Sequence, residues 1–129
     1  MLSIPKANRK EAYVDRIQRE FGGLLDHAQA QTIYDSDREI VGRLINSECR
    51  YIGILGPKQR TADILKDLSE RGVNINKDML ESIHAPVGLD IGAATPEGIA
   101  LSIVAEIQAV LAGRDGVQLK HRSKPIYDR

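Results

Sequence analysis

The sequence predicts an α/β domain built on a mainly parallel sheet, and three observations carry that prediction. Tyr51 to Leu55 is a short apolar run without polar alternation, the pattern of a strand covered on both faces. It passes through Gly56-Pro57 into a segment where Ile64, Leu65 and Leu68 recur at helical spacing. Upstream, residues 31–50 read as a strand and then a helix. Residues 31–70 therefore alternate strand, helix, strand, helix, the unit of a parallel sheet with right-handed crossovers.

Taken in order, Asn8-Arg9-Lys10-Glu11 has the spacing of a capping box ahead of Val14, Ile17 and Phe21, and Gly22-Gly23 closes the segment. A helix over 9–21 follows, and residues 1–30 form an N-terminal helical segment. Residues 31–34 read as a short strand. Ser36-Asp37-Arg38-Glu39 is a second capping box, placed directly before Ile40, Val41, Leu44 and Ile45. After the strand at 51–55, a helix from Gln59 ends near Gly72. Lys77 to Ile83 reads as a short helix with Met79, Leu80 and Ile83 turned inward. Pro86, Gly88 and Gly92 exclude a long helix over 85–93, and the alternation of Val87, Leu89 and Ile91 fits a short strand or an extended buried loop. Thr95-Pro96-Glu97 is a helix start, with Thr as N-cap and Pro at the first helical position. Ile99, Ile103, Ile107 and Val110 make its apolar stripe, widened by Ala100, Val104 and Leu111. Gly113 stops it, and residues 114–129, with six basic residues counting His121, read as a surface tail.

Composition removes several function classes. The 129 residues suffice for one domain with one core. Eighteen basic and eighteen acidic side chains cancel, and one Phe, four Tyr and no Trp leave little for base stacking, so no nucleic acid partner is expected. No apolar run approaches the roughly 20 residues of a membrane span, and no membrane partner is expected. A cytoplasmic location is the default. Cys49, the sole cysteine, excludes an internal disulfide and reads as a small buried residue beside the strand. His27, His84 and His121 form no metal-binding spacing, and no nucleophile elbow or paired-carboxylate arrangement is present. The chain offers binding surfaces more than catalytic machinery.

The chemistry that remains is anion binding at the turn after the strand. The first N–H groups of a helix lack partners and the dipole is positive there. Lys58 and Arg60 add charge, Thr61 a hydroxyl, and Gly53, Gly56 and Pro57 a tight backbone. Against this stands the fact that most such turns bind nothing, and the turn has neither the G-x-x-x-x-G-K-[ST] nor the G-x-G-x-x-G spacing. Asp90, inside an apolar run, requires donors; it reads either as a turn cap or as facing a ligand. Glu106 interrupts the inner side of the 96–112 helix and reads either as a partnered acid or as a solvated flank, the flank being the expectation.

Three stretches in order resemble the XdhC/CoxI family: Tyr51-Ile52-Gly53-Ile54-Leu55-Gly56-Pro57-Lys58-Gln59-Arg60-Thr61, Ala85-Pro86-Val87-Gly88-Leu89-Asp90-Ile91-Gly92-Ala93, and the helix opening at Thr95-Pro96-Glu97-Gly98. The resemblance implies a small Rossmann-like three-layer domain over 31–113, a shortened C-terminal half of the family's fold. It implies an accessory factor that binds molybdenum cofactor (molybdopterin) and helps insert it into an apo xanthine dehydrogenase-type molybdoenzyme, with a sulfurtransferase as a further partner. The cofactor's phosphate would suit the turn carrying Gly53, Gly56, Pro57, Lys58, Arg60 and Thr61, with Gly88, Asp90 and Gly92 as a neighbouring wall. Two alternatives stay open. One is a nucleotide-dependent oxidoreductase using NAD(P); the other is a ligand-free module that forms a homodimer through the wide face of the 96–112 helix.

Overall fold

The computed structural model describes residues 27–127. The helix expected over 9–21, with its Asn8 cap, lies outside them.

The first described element is one uninterrupted helix, α1, His27–Ile45. It overturns the strand expected at 31–34 and the helix start expected at Ser36. Ala30, Tyr34, Val41 and Ile45 are all buried and fall on one stripe that runs straight through the polar stretch. Asp35, Ser36 and Asp37 do not interrupt it, because polar side chains on the flanks are held along the helix. Gln31 Nε2 donates to Asp35 Oδ1 at 3.0 Å, Arg38 pairs with Asp35 at 3.3 Å, and Arg43 pairs with Glu39 at 2.7 Å.

β1, Ile52–Gly53, pairs in parallel with β2, Ile83–His84, in the register Ile52 with Ile83 and Gly53 with His84. The expected strand at 51–55 is thus shorter, although Ile54 N still donates to the His84 carbonyl at 2.9 Å and Val87 N to the Ile54 carbonyl at 3.0 Å. β2 is a correction. Its residues were expected to end the short helix, but α3 covers only Lys77–Glu81, capped by Asn76 through Met79 N at 2.9 Å. Ile83 packs against the core from the strand, and Leu80 is exposed.

Strand alternation divides the domain into layers. Ile52 and Ile54 enter a core with Ala30, Tyr34 and Val41 of α1 and with Ile64 and Leu68 of α2, Lys58–Glu70. Tyr51 and Gly53 face the other way, Tyr51 toward the helix α4, Pro96–Leu111, and Gly53 toward Val87. Across the first interface Tyr34, 1% exposed, donates its hydroxyl to Asp67 Oδ2 at 2.8 Å. Residues 85–93 form no strand; they make an extended loop that opens on a cis Ala85–Pro86 bond.

α4 starts as its sequence predicts, with Thr95 Oγ1 accepting from Gly98 N at 3.1 Å. Its inward face differs from the isoleucine stripe. Ser102, Glu106 and Ala109 are its buried residues, Ile99, Ile103, Ile107 and Val110 are half-buried, and Leu101, Val104 and Leu111 are exposed. The physical reason is the 85–93 loop, which lies on the small and polar side of the helix: Leu89 N donates to the Ser102 carbonyl at 3.2 Å. Residues 114–127 run along the surface, held by Arg114 donating to the Ile126 carbonyl and Arg122 to the Pro125 carbonyl. Among the described residues no helix is long and apolar enough to cross a membrane, and no group of His, Cys, Asp and Glu could hold a metal ion.

Candidate functional site

Ligands of open α/β sheets bind beyond the carboxyl ends of the strands, and here those ends lead into the two stretches marked by the sequence. After β1 the chain turns at Gly56, whose φ of 113° favours glycine. Pro57 is the N-cap of α2 and makes no side-chain cap bond, and the first turn carries no acid. By contrast α3 and α4 are capped by Asn76 and Thr95. The opening N–H groups of α2 are therefore left without a capping side chain, beside the exposed Lys58.

Arg60 takes a different role from the one its sequence position suggests. Residues two apart on a helix are turned by roughly 200°, so it points away from Lys58. It pairs with Asp37 of α1, and its Nη1 donates to the Leu55 carbonyl at 3.0 Å. Its side chain is 10% exposed. Arg60 thus clamps the start of α2 onto α1 and is not a second solvent-facing cation. Thr61 is buried, and its Oγ1 has no hydrogen-bond partner among the described residues.

The two stretches do meet. A Cβ at Gly53 would stand 2.6 Å from Val87 Cγ2 and 2.9 Å from the Tyr51 hydroxyl, so only glycine lets the loop lie on β1. Gly88, with φ 105°, lies so close to α4 that a Cβ would stand 3.2 Å from the Ser102 Cβ. Asp90 and Gly92 stand apart: both are exposed, with nothing within 4 Å of an added Cβ at Gly92. Exposure removes the need for donors that an interior Asp90 would have had.

Glu106 is another residue that sequence reasoning placed wrongly. It is 9% exposed, and its Oε1 accepts from the Tyr51 hydroxyl at 2.7 Å and from Gly88 N at 3.0 Å. His84 Nδ1 lies 3.8 Å from the same oxygen, too far for a hydrogen bond. The rings of Tyr51 and His84 stack with centroids 4.7 Å apart. Burial, and then the hydrogen bond to Glu106, pushes the Tyr51 hydroxyl well above the ordinary tyrosine range. One carboxylate thus ties the strand entry and the glycine-rich loop to α4. The only hint in the sequence was an acid interrupting the inner side of an apolar helix. Cys49, expected to be buried, is exposed and sits 2.9 Å from the Ser47 hydroxyl.

Fold and site together define a small Rossmann-like α/β domain in which two parallel strands lead into glycine-bearing turns. The profile of the XdhC Rossmann domain matches residues 6–107, and the chain belongs to that family. It is similar to the uncharacterized protein YqeB of Escherichia coli (strain K12), with 35% identity over 91 residues, 70% of this chain and 16% of that protein. It is also similar to a probable xanthine dehydrogenase subunit of Bacillus subtilis (strain 168), with 39% identity over 74 residues, 57% of this chain and 20% of that protein. The matched segments thus span a fifth or less of these relatives' length. No solved structure matches.

Proposed function

We propose that this chain is a non-catalytic module that handles molybdenum cofactor during the maturation of a xanthine dehydrogenase-type enzyme. The observation that carries the reading is the start of α2, a helix N-terminus with no side-chain cap and no acid, flanked by Lys58. Such an end attracts a phosphate-bearing ligand. The donor set fits the cofactor's phosphate: the backbone N–H groups of Lys58 and Gln59 and the Lys58 ammonium would hold it, and the loop at Val87-Gly88 would wall it. Arg60 supports the turn through its hydrogen bond to the Leu55 carbonyl. Membership of the XdhC family and similarity to a relative named for xanthine dehydrogenase support the class of partner. The apo molybdoenzyme is that partner, with a sulfurtransferase serving the bound cofactor.

Titration of the purified chain with molybdopterin, followed by fluorescence, tests the reading. Saturable binding at micromolar concentration that weakens in Lys58→Ala is expected. No binding, with the apo-enzyme present or absent, overturns it.

A second reading rests on Leu101, Val104 and Leu111 of α4, which are 63%, 64% and 58% exposed. An apolar face of this kind suits association without a ligand. A ligand-independent dimer in sedimentation velocity would favour it, and a monomer that binds molybdopterin would not.

A further inference from the structure

We infer that the open edge of β1 and the adjoining flank of α1 form one self-complementary surface, on which a second copy of this chain docks about a two-fold axis at Gly53. The contact does not depend on the cofactor reading above, and it lies away from the exposed face of α4.

The edge follows from the ladder. Successive residues of a strand point their N–H and C=O groups alternately to its two sides. Ile52 N donates to the Ser82 carbonyl at 2.7 Å and Ile54 N to the His84 carbonyl at 2.9 Å, so both residues serve β2. Gly53, between them, turns its N–H and carbonyl to the opposite side, where the two-stranded sheet ends. Among the described residues no strand pairs with that side. Gly53 is exposed there, and Leu55 is 65% exposed. Such an edge is a template for a further strand, and two strands alone make a marginal sheet.

The flank belongs to α1. Ala30, Tyr34 and Val41 enter the core, and Gly42 lies so near α2 that an added Cβ would stand 3.0 Å from Leu68 Cδ2. At about 100° per residue, Ile33, Ile40 and Leu44 lie roughly half a turn from Gly42, on the flank turned away from α2. Since α2 crosses back from β1 to β2, that flank stands over the free edge of β1. The three side chains are 40%, 53% and 37% exposed. With Leu55 they offer an apolar patch on the order of a few hundred Å², the size that marks an association site.

Symmetry and charge choose the occupant. Gly53 presents both a donor and an acceptor to the free side. Two copies related by a two-fold axis there exchange both bonds, which is the hydrogen-bonded pair of an antiparallel ladder. Leu55 of each copy then stands opposite Tyr51 of the other, the two α1 flanks meet across the axis, and the sheet continues over four strands. The charges nearest the flank are already spent within the chain, Asp37 on Arg60 and Arg43 on Glu39. No unpaired like charges therefore face each other across the axis. Doubling the patch and adding its polar rim brings the contact to about 1,200 Å², the lower end for a specific interface.

Sedimentation velocity of the full chain tests this, over concentrations from about 1 to 100 μM. A dimer is expected. Ile40→Lys with Leu44→Lys sets ammonium groups of both copies against the axis and should weaken it about 100-fold or more. Leu55→Pro removes an edge N–H without touching a bond to β2 and should weaken it too. Leu101→Lys with Val104→Lys, on α4, should leave the dimer unchanged. Circular dichroism checks that each variant folds. A wild-type monomer throughout overturns the inference, and so does a dimer that survives the α1 variant or is lost only in the α4 variant. A monomer that the α1 variant destabilises would show the chain covering its own flank, and that outcome overturns it as well. If both edge variants misfold, hydrogen exchange of wild type decides: the Gly53 amide should exchange more slowly at the high concentration than at the low one, and equal rates would refute the contact.

Discussion

Replacing Gly88 by alanine tests how the glycine-rich loop is held. The structure assigns two separate costs. At φ 105° a side chain is strained whatever the space around it; residues held in such sparsely populated regions lose about 1–3 kcal/mol. The added Cβ would also stand 2.4 Å from the Ser102 Oγ and 3.2 Å from its Cβ. Overpacking of this kind costs about 1–3 kcal/mol. The sum is about 2–6 kcal/mol, a large fraction of the roughly 5–15 kcal/mol that stabilises a domain. Urea unfolding followed by circular dichroism measures it, with a midpoint lowered by about 1 M or more at the usual slopes. The Ser102→Gly background separates the two terms, because it removes the clash and leaves the φ strain. Gly88→Ala should therefore cost less there than in wild type, the two sites coupling by about 1 kcal/mol or more. A loss below about 1 kcal/mol in the single variant would refute the packing of this loop on α4. So would additive losses in the double variant.

Ile64→Ala, at a residue with no exposure, should destabilise by about 2–5 kcal/mol in the same assay, through lost burial and the cavity left behind. Tyr51→Phe should cost about 1.5–3 kcal/mol, because it removes a hydrogen bond to a largely buried carboxylate; a neutral result would show that water replaces the hydroxyl. Arg60→Ala should lower the urea midpoint, by about 1–2 kcal/mol after allowing for the partial exposure of Asp37, whereas Lys58→Ala should leave the midpoint unchanged. Equal effects of the two would contradict the clamp. The hydroxyls of Tyr34 and Tyr51 both titrate above their ordinary value of 10.0, chiefly through burial. Each raised value means that the neutral hydroxyl is favoured by folding, so that this stability is complete below pH 10.0 and is lost as the pH rises further. Absorbance of tyrosinate against pH should show the two ionising late and together with unfolding, and early ionisation of all four tyrosines would refute it.

Helix ends with side-chain signals were legible in the sequence. Thr95-Pro96 starts α4 as read, because a cap acts locally and needs no tertiary partner. α1 was misread for the same reason. Ser36-Asp37-Arg38-Glu39 has the spacing of a cap, but the buried stripe from Ala30 to Ile45 outweighs it. β2 was illegible because Ile83-His84 is two residues long and is a strand only by pairing with β1. At the site, the meeting of Gly53 with the Val87-Gly88 loop was foreshadowed by glycines in both stretches. Arg60 and Glu106 were misplaced because their partners, Asp37, Tyr51 and Gly88, are 23, 55 and 18 positions away in the chain, and no local pattern records a contact at that range.

The two hydrogen bonds that Glu106 accepts also bear on how the domain comes apart. Its hydrogen bonds fasten α4 at once to the entry of β1 and to the loop that leaves β2. To peel away, the last helix must release both fastenings in the same event, leaving the carboxylate without its two donors. Its amides should then exchange with deuterium as slowly as those of the Ile52–Ile64 interior, so that the domain opens as one body and not from its C-terminal end inward.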